Sequence, residues 1–142
     1  MNQGRPADAL PDFESVTELD ANMARGWLYR GLALHRLDRP AEALPFVERA
    51  RKLTPRDFQV YRTRAQVLRT LDRRREAAAD FRRWTQLRPQ ELIAWIERAR
   101  CLAELGDRDQ AIGVLQTALA RFAGHSKHEA RVRAALRELR RK

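Results

Sequence analysis

The sequence predicts an all-α protein built as a stack of helix-turn-helix units, on three observations. First, Trp27, Tyr61 and Trp95 stand 34 residues apart, and their surroundings recur at the same interval. Arg30, Arg64 and Arg98 follow, then Gly31, Ala65 and Ala99, then Leu34, Leu68 and Leu102, and later Ala43, Ala77 and Ala111. Second, the apolar residues of each unit recur at three- and four-residue spacing, the period of a helix face. Third, short polar turns at Asp38, Asp72 and Gly106 divide each unit into two such stripes. A period of this length marks units that bury their apolar faces only against neighbours.

Taken in order, residues 4–22 (GRPADALPDFESVTELDAN) mirror residues 38–56 at the 34-residue offset, with Pro6, Ala9, Pro11 and Phe13 answering Pro40, Ala43, Pro45 and Val47. They are expected to form a half repeat, its second helix only. Leu10, Phe13, Val16 and Leu19 would then lack a neighbour on one side, which points to excision from a longer protein or to cover by a second copy or another partner. Repeat 1 is placed at 24–57. Trp27, Leu28, Gly31, Leu34 and Leu37 form its first stripe, and Ala43, Phe46, Val47, Ala50 and Leu53 its second. Asp38 is expected to cap the second helix and Pro40 to open it. Pro45, like Pro11, lies near a helix start and is expected to delay its onset by a turn. Repeat 2, at 58–91, uses Tyr61, Ala65, Leu68 and Leu71, then Ala77, Phe81, Trp84 and Leu87 before Pro89. Repeat 3, at 92–125, uses Trp95, Ala99, Leu102 and Leu105, then Ala111, Leu115, Ala118 and Phe122, with Gly124 as its terminator. Residues 126–142 (SKHEARVRAALRELRRK) keep an apolar stripe under a basic face and read as a capping helix. The whole of 1–142 reads as a single domain.

The small residues have a physical reason: helix axes approach to ~8 Å only where the contact carries no bulky side chain. With them, the chain resembles the tetratricopeptide repeat family, whose pattern combines an aromatic, Leu-Gly, a later Ala, an aromatic, a small residue and Pro. The resemblance covers residues 4–123. It implies an α-α superhelix, with first helices lining a concave face. Arg30, Arg64 and Arg98 depart from it, standing where the family has Leu. They are expected to pack their stems and reach a carboxylate, with Glu48 and Asp80 as candidate acceptors.

Charge is unevenly spread. Of a net +10, residues 1–22 carry one Arg against five acids, while residues 127–142 carry seven bases against two acids. This suits an anionic partner, or simply a composition that places Arg on solvated faces. The lone Cys101 and the absence of a signal-like N-terminus or a long apolar run lead to a cytoplasmic expectation, without a membrane partner. No phosphate loop, HExxH or cysteine pair is present. His125 and His128 lack a third ligand nearby, and Cys101 aligns with the small apolar Ala33 and Val67. The chain is therefore read as a non-enzyme with no cofactor and no metal.

In the repeat register, the groove implied by the resemblance would be lined by Arg25, Leu28, Tyr29, Leu32, His35 and Arg36, then Gln59, Arg62, Thr63, Gln66, Arg69 and Thr70, then Ile93, Ile96, Glu97, Arg100, Ala103 and Glu104. The expected partner is a protein or peptide with an apolar anchor at Leu28, Tyr29 and Leu32 and an acidic stretch along Arg62, Arg69 and Arg100. The family's clamp for a terminal carboxylate needs Lys and Asn where this chain has Leu28, Leu32, Thr63, Ile93 and Glu97, so that ligand is not expected. Two other readings stay open. One is nucleic-acid binding by an Arg-rich surface (Arg73, Arg74, Arg75, Arg82, Arg83 and the C-terminal tail), which lacks the interleaved aromatics of single-strand binders. The other is head-to-tail self-association of the acidic N-terminal and basic C-terminal ends.

Overall fold

Three turns, 34 residues apart, show the repeat most directly. In the structure, a computed structural model that describes residues 23–141, Asp38, Asp72 and Gly106 all hold positive φ, at +60°, +61° and +85°. At each turn the next backbone N–H reaches five residues back: Arg39 to the Leu34 carbonyl (2.9 Å), Arg73 to Leu68 (2.8 Å) and Asp107 to Leu102 (3.0 Å). This is the left-handed helix ending that satisfies otherwise orphaned carbonyls. Asp38 therefore ends one helix and does not cap the next, a correction to the expectation. Aspartate tolerates that conformation better than most side chains. The residue before Pro40 is Arg39, and it offers no side-chain cap.

The described residues form seven helices and no strand. They fall into two compact units that divide at Arg73 and Arg74. The first unit holds α1 (Ala24–Arg36), α2 (Pro40–Leu53) and α3 (Phe58–Thr70). The second holds α4 (Arg74–Leu87), α5 (Leu92–Glu104), α6 (Arg108–Arg121) and α7 (Ser126–Arg141). Residues 4–22, expected to form the half repeat, lie outside the described residues.

In the first unit α1 packs on α2, α2 on α3, and α1 also meets α3. Leu28, Val47, Ala50 and Val60 form one apolar cluster, and Ala33, Leu34, Ala43 and Val67 another. Pro45 lies inside α2, which runs unbroken from Pro40. The expected delay of helix onset does not occur, because Pro40 itself supplies a helical φ at the first position. Asp57 caps α3, accepting from the Gln59 N–H at 2.9 Å.

In the second unit each helix packs on the next, and α5 also meets α7. Its core gathers Trp95, Ala99, Ala111, Leu115, Ala118 and Phe122 together with Val132 and Leu136 of α7. Val132 and Leu136 are the buried positions of α7, so that helix covers the end of the third repeat with one stripe and faces solvent with its cations. Gly124, at φ +89°, separates α6 from α7, and its N–H is taken by Glu129 at 2.8 Å.

Two of the three recurrent aromatics share a polar anchor. Tyr61 donates its hydroxyl to the Pro55 carbonyl at 2.7 Å, and Trp95 donates its indole N–H to the Pro89 carbonyl at 2.9 Å. Both prolines end the preceding helix, so each aromatic ties a first helix to the turn before it. The recurrent arginines do not behave alike. Arg64 pairs with Glu48 at 2.5 Å, as expected of one candidate acceptor. Arg30 instead lies over the Phe46 ring, 4.0 Å from its centroid. Arg98 donates to the Thr85 hydroxyl at 3.3 Å. The position 34 residues after Glu48 is Arg82. Burial first, and then that like charge, lower the Arg98 pKa.

Candidate functional site

The first unit presents a face made by α1 and α3. Neither helix contains an Asp or Glu: α1 is ARGWLYRGLALHR and α3 is FQVYRTRAQVLRT. Arg25, Arg36 and Gln66 are exposed, while Tyr29, Leu32, Arg62 and Arg69 are half-buried. The Arg62 guanidinium lies 6.0 Å from the Phe58 ring centroid, which holds its stem along α3. The face therefore combines an aromatic, an aliphatic side chain and guanidinium groups with no carboxylate on its two helices.

Two expected groove residues are not on this surface. Leu28 is 2% exposed and packs with Val47, Ala50 and Val60. Because α1 is flanked by both α2 and α3, its buried stripe is wider than one helix contact requires, and Leu28 falls inside it. Leu28 is a core residue, a correction to its reading as a peptide anchor. Thr63, at 3% exposed, is buried in the same way on α3.

His35 bridges the two helices. Its Nε2 lies 3.0 Å from the Thr70 hydroxyl, which itself donates to the Gln66 carbonyl at 3.0 Å. With its one proton committed, Thr70 accepts here, so the imidazole carries its proton on Nε2. Burial, then Arg36, lowers the His35 pKa below the ordinary 6.5, with Asp38 acting the other way. A depressed pKa means that the unfolded chain binds the proton more readily than the folded one. The stability linked to neutral His35 is thus complete above about pH 6.5 and is lost as pH falls through the folded pKa. Circular dichroism across acid pH should show this loss in the wild type and not in His35→Gln. An identical acid limb in both would refute the linkage.

The second unit carries a cleft of about 330 Å³ between α5 and α7, floored by α6. Ile96, Ala99, Ala103, Leu115, Ala135 and Leu139 make it apolar, and Arg100, Glu104 and Glu138 stand at its rim. Ile96 is 9% exposed and so belongs to the core as well as to the cleft wall. Ile93, four-tenths exposed, is not among the lining residues. The Arg100 guanidinium is held by Glu97 at 2.8 Å, and Glu104 accepts from Arg74 at 3.3 Å. Sequence reasoning placed Ile96, Arg100, Ala103 and Glu104 on this side but missed the contribution of α7. The signal was present: Glu138 follows Glu104 by the repeat length, as Glu104 follows Thr70.

Among the described residues, no group of three or more His, Cys, Asp or Glu is placed to hold a metal ion. No described helix is long and apolar enough to cross a membrane. Cys101 is buried and its thiol donates to the Arg74 carbonyl at 3.3 Å.

Comparison with known proteins gives a consistent result. A family model described as tetratricopeptide repeat matches residues 1–58 and 62–126. No curated protein sequence matches significantly. Among solved structures, the chain is similar to MamA protein, with a TM-score of 0.81 at 21% identity over 89% of this chain and 69% of that one. It is also similar to TTC0263, a thermophilic TPR protein of Thermus thermophilus, at TM-score 0.71 and 19% identity over 90% and 71% of the two chains. Nearly identical TPR-like repeats from Podosopora anserina superpose at TM-score 0.82 and 14% identity over 94% and 77%. At these identities the structures share the fold.

Proposed function

Since the chain belongs to the tetratricopeptide repeat family, whose fold serves as a scaffold for protein interaction, we propose that the α1/α3 face of the first unit binds an acidic segment of a partner protein. The observation that carries this reading is the charge of the face: Arg25, Arg36, Arg62 and Arg69 on two helices without a carboxylate. Guanidinium groups take carboxylates in a two-pronged geometry that ammonium groups lack. Tyr29 and Leu32 give an adjoining apolar contact, with Tyr29 as the anchor because aromatic side chains carry much contact area at low entropic cost.

The test is fluorescence anisotropy with a short labelled peptide carrying one Phe beside a run of Glu. Arg62→Glu and Tyr29→Ala are each expected to weaken binding about tenfold or more, the range of a central interface residue. Affinity should fall as salt rises, since these charges are exposed or only half-buried. Single-stranded DNA of similar charge serves as the comparison. If it binds as tightly and Arg62→Glu weakens both equally, bulk charge explains the interaction and the proposal fails.

A further inference from the structure

The two units treat one equivalent pair of positions differently. In the first, His35 of α1 meets Thr70 of α3 and closes the seam between those helices. Two repeats on, 68 residues later, the same positions are Ala103 of α5 and Glu138 of α7. An imidazole is replaced by a methyl group, opposite a carboxylate. The cleft of about 330 Å³ lies there, with Ala103 in its wall and Glu138 at its rim. What closes the seam in one unit is missing from the other.

We infer that this cleft is a subsite for a lysine or arginine side chain of a partner protein. The inference rests on the scaffold reading and concerns the second unit alone. Ile96, Ala103, Ala135 and Leu139 offer an apolar bed for an aliphatic stem, and long cationic side chains bury such stems while holding the charge at a polar rim. The charge is met by Glu104 and Glu138. Glu104 is the last residue of α5 and Glu138 stands in the last turn of α7, so both lie at helix ends that carry partial negative charge. Both carboxylates already have partners within the protein, Arg74 among those of Glu104, and a carboxylate retains further acceptor sites. Arg100, one turn earlier on α5, is held by Glu97, which offsets its charge at the rim. An acidic side chain would meet two like charges in the same place.

The experiment is a two-dimensional amide NMR titration of the full chain with acetylated, amidated Gly-Xaa-Gly peptides in which Xaa is Arg, Lys, Leu or Glu. The Arg and Lys peptides are expected to shift the amides of Ala103, Glu104, Ala135 and Glu138, the Leu peptide less, and the Glu peptide not at all. Glu138→Gln is expected to weaken the Arg peptide by about three- to tenfold. Ala103→His, which puts an imidazole into the cleft as in the first unit's seam, is expected to abolish its shifts while circular dichroism stays unchanged. The inference is overturned if the Glu peptide shifts these amides as strongly as Arg, if no peptide moves them, or if Glu138→Gln changes nothing. Acidic-peptide binding is read separately at Arg62 and Gln66. Its survival beside a silent cleft would sink this inference alone, and its loss beside an active cleft would sink only the other.

Discussion

Trp95→Ala is expected to lower the stability of the second unit by about 3–5 kcal/mol, the range for truncating a large buried aromatic. Trp95 is 7% exposed and sits in the cluster formed by α5, α6 and α7. Its indole N–H holds the Pro89 carbonyl, and the Arg121 guanidinium lies 5.8 Å from its ring centroid. Truncation removes all three contacts and leaves a void that neighbours on three helices cannot fill together. Against a typical total of about 5–15 kcal/mol, such a loss is a large fraction of the whole. Trp95→Phe keeps most of the apolar contact and loses the hydrogen bond, at a cost of about 1–2 kcal/mol. Urea unfolding followed by circular dichroism separates the two variants. A Trp95→Ala loss below about 1 kcal/mol would show that the recurrent aromatic does not organise its unit. The consequence reaches the cleft, because α5 carries Ile96, Arg100, Ala103 and Glu104 on the same thirteen-residue helix. A loosened α5 should lose its probe peptides even under conditions where the chain remains folded.

The elements most legible in the sequence are those set by periodicity. The spacing of Trp27, Tyr61 and Trp95 placed the helices because each aromatic must occupy the same packing site, and two of the three share the same carbonyl anchor. The turns were legible too, though not the job of Asp38, since an aspartate before a helix is compatible with either a cap or a left-handed ending. Side-chain partners were less so. Arg30, Arg64 and Arg98 occupy one position in three repeats, yet find a ring, a carboxylate and a hydroxyl. Their neighbours vary with the sequence of the opposing helix, so a shared register does not give a shared contact. Exposure was the least legible. Register alone put Leu28 on the open face, whereas the approach of α3 through Val60 buries it. The cleft was not legible for a related reason: it is lined in part by Ala103, whose small side chain carries no signal of the space beside it.

Gly31→Ala should destabilise the first unit, whereas Gly113→Ala should stabilise the second, although both glycines lie within helices. A Cβ built at Gly31 would stand 2.5 Å from Val47 Cγ2 and 3.2 Å from the Ala43 carbonyl oxygen. Val47 is fully buried and β-branched, with one favoured rotamer in a helix, and the carbonyl belongs to the α2 backbone. Neither can give way alone, so α1 and α2 must separate as bodies. The expected net cost is about 1–3 kcal/mol, with the overpacking outweighing the roughly 1 kcal/mol by which alanine is the better helix former. At Gly113 nothing lies within 4 Å of an added Cβ, so only that propensity remains and stability rises by about 0.5–1 kcal/mol. Combining Gly31→Ala with Val47→Ala removes the closest clash, and a double-mutant cycle should show the pair to be less costly than the sum by at least about 1 kcal/mol. Equal signs for the two glycines in urea melts would mean that propensity alone governs both sites. The close approach would then not be what sets the α1–α2 spacing. The difference bears on binding, because α1 displaced from α2 carries Tyr29 and Arg36 with it, and the α1/α3 face should weaken for its acidic peptide in step with the loss at Gly31.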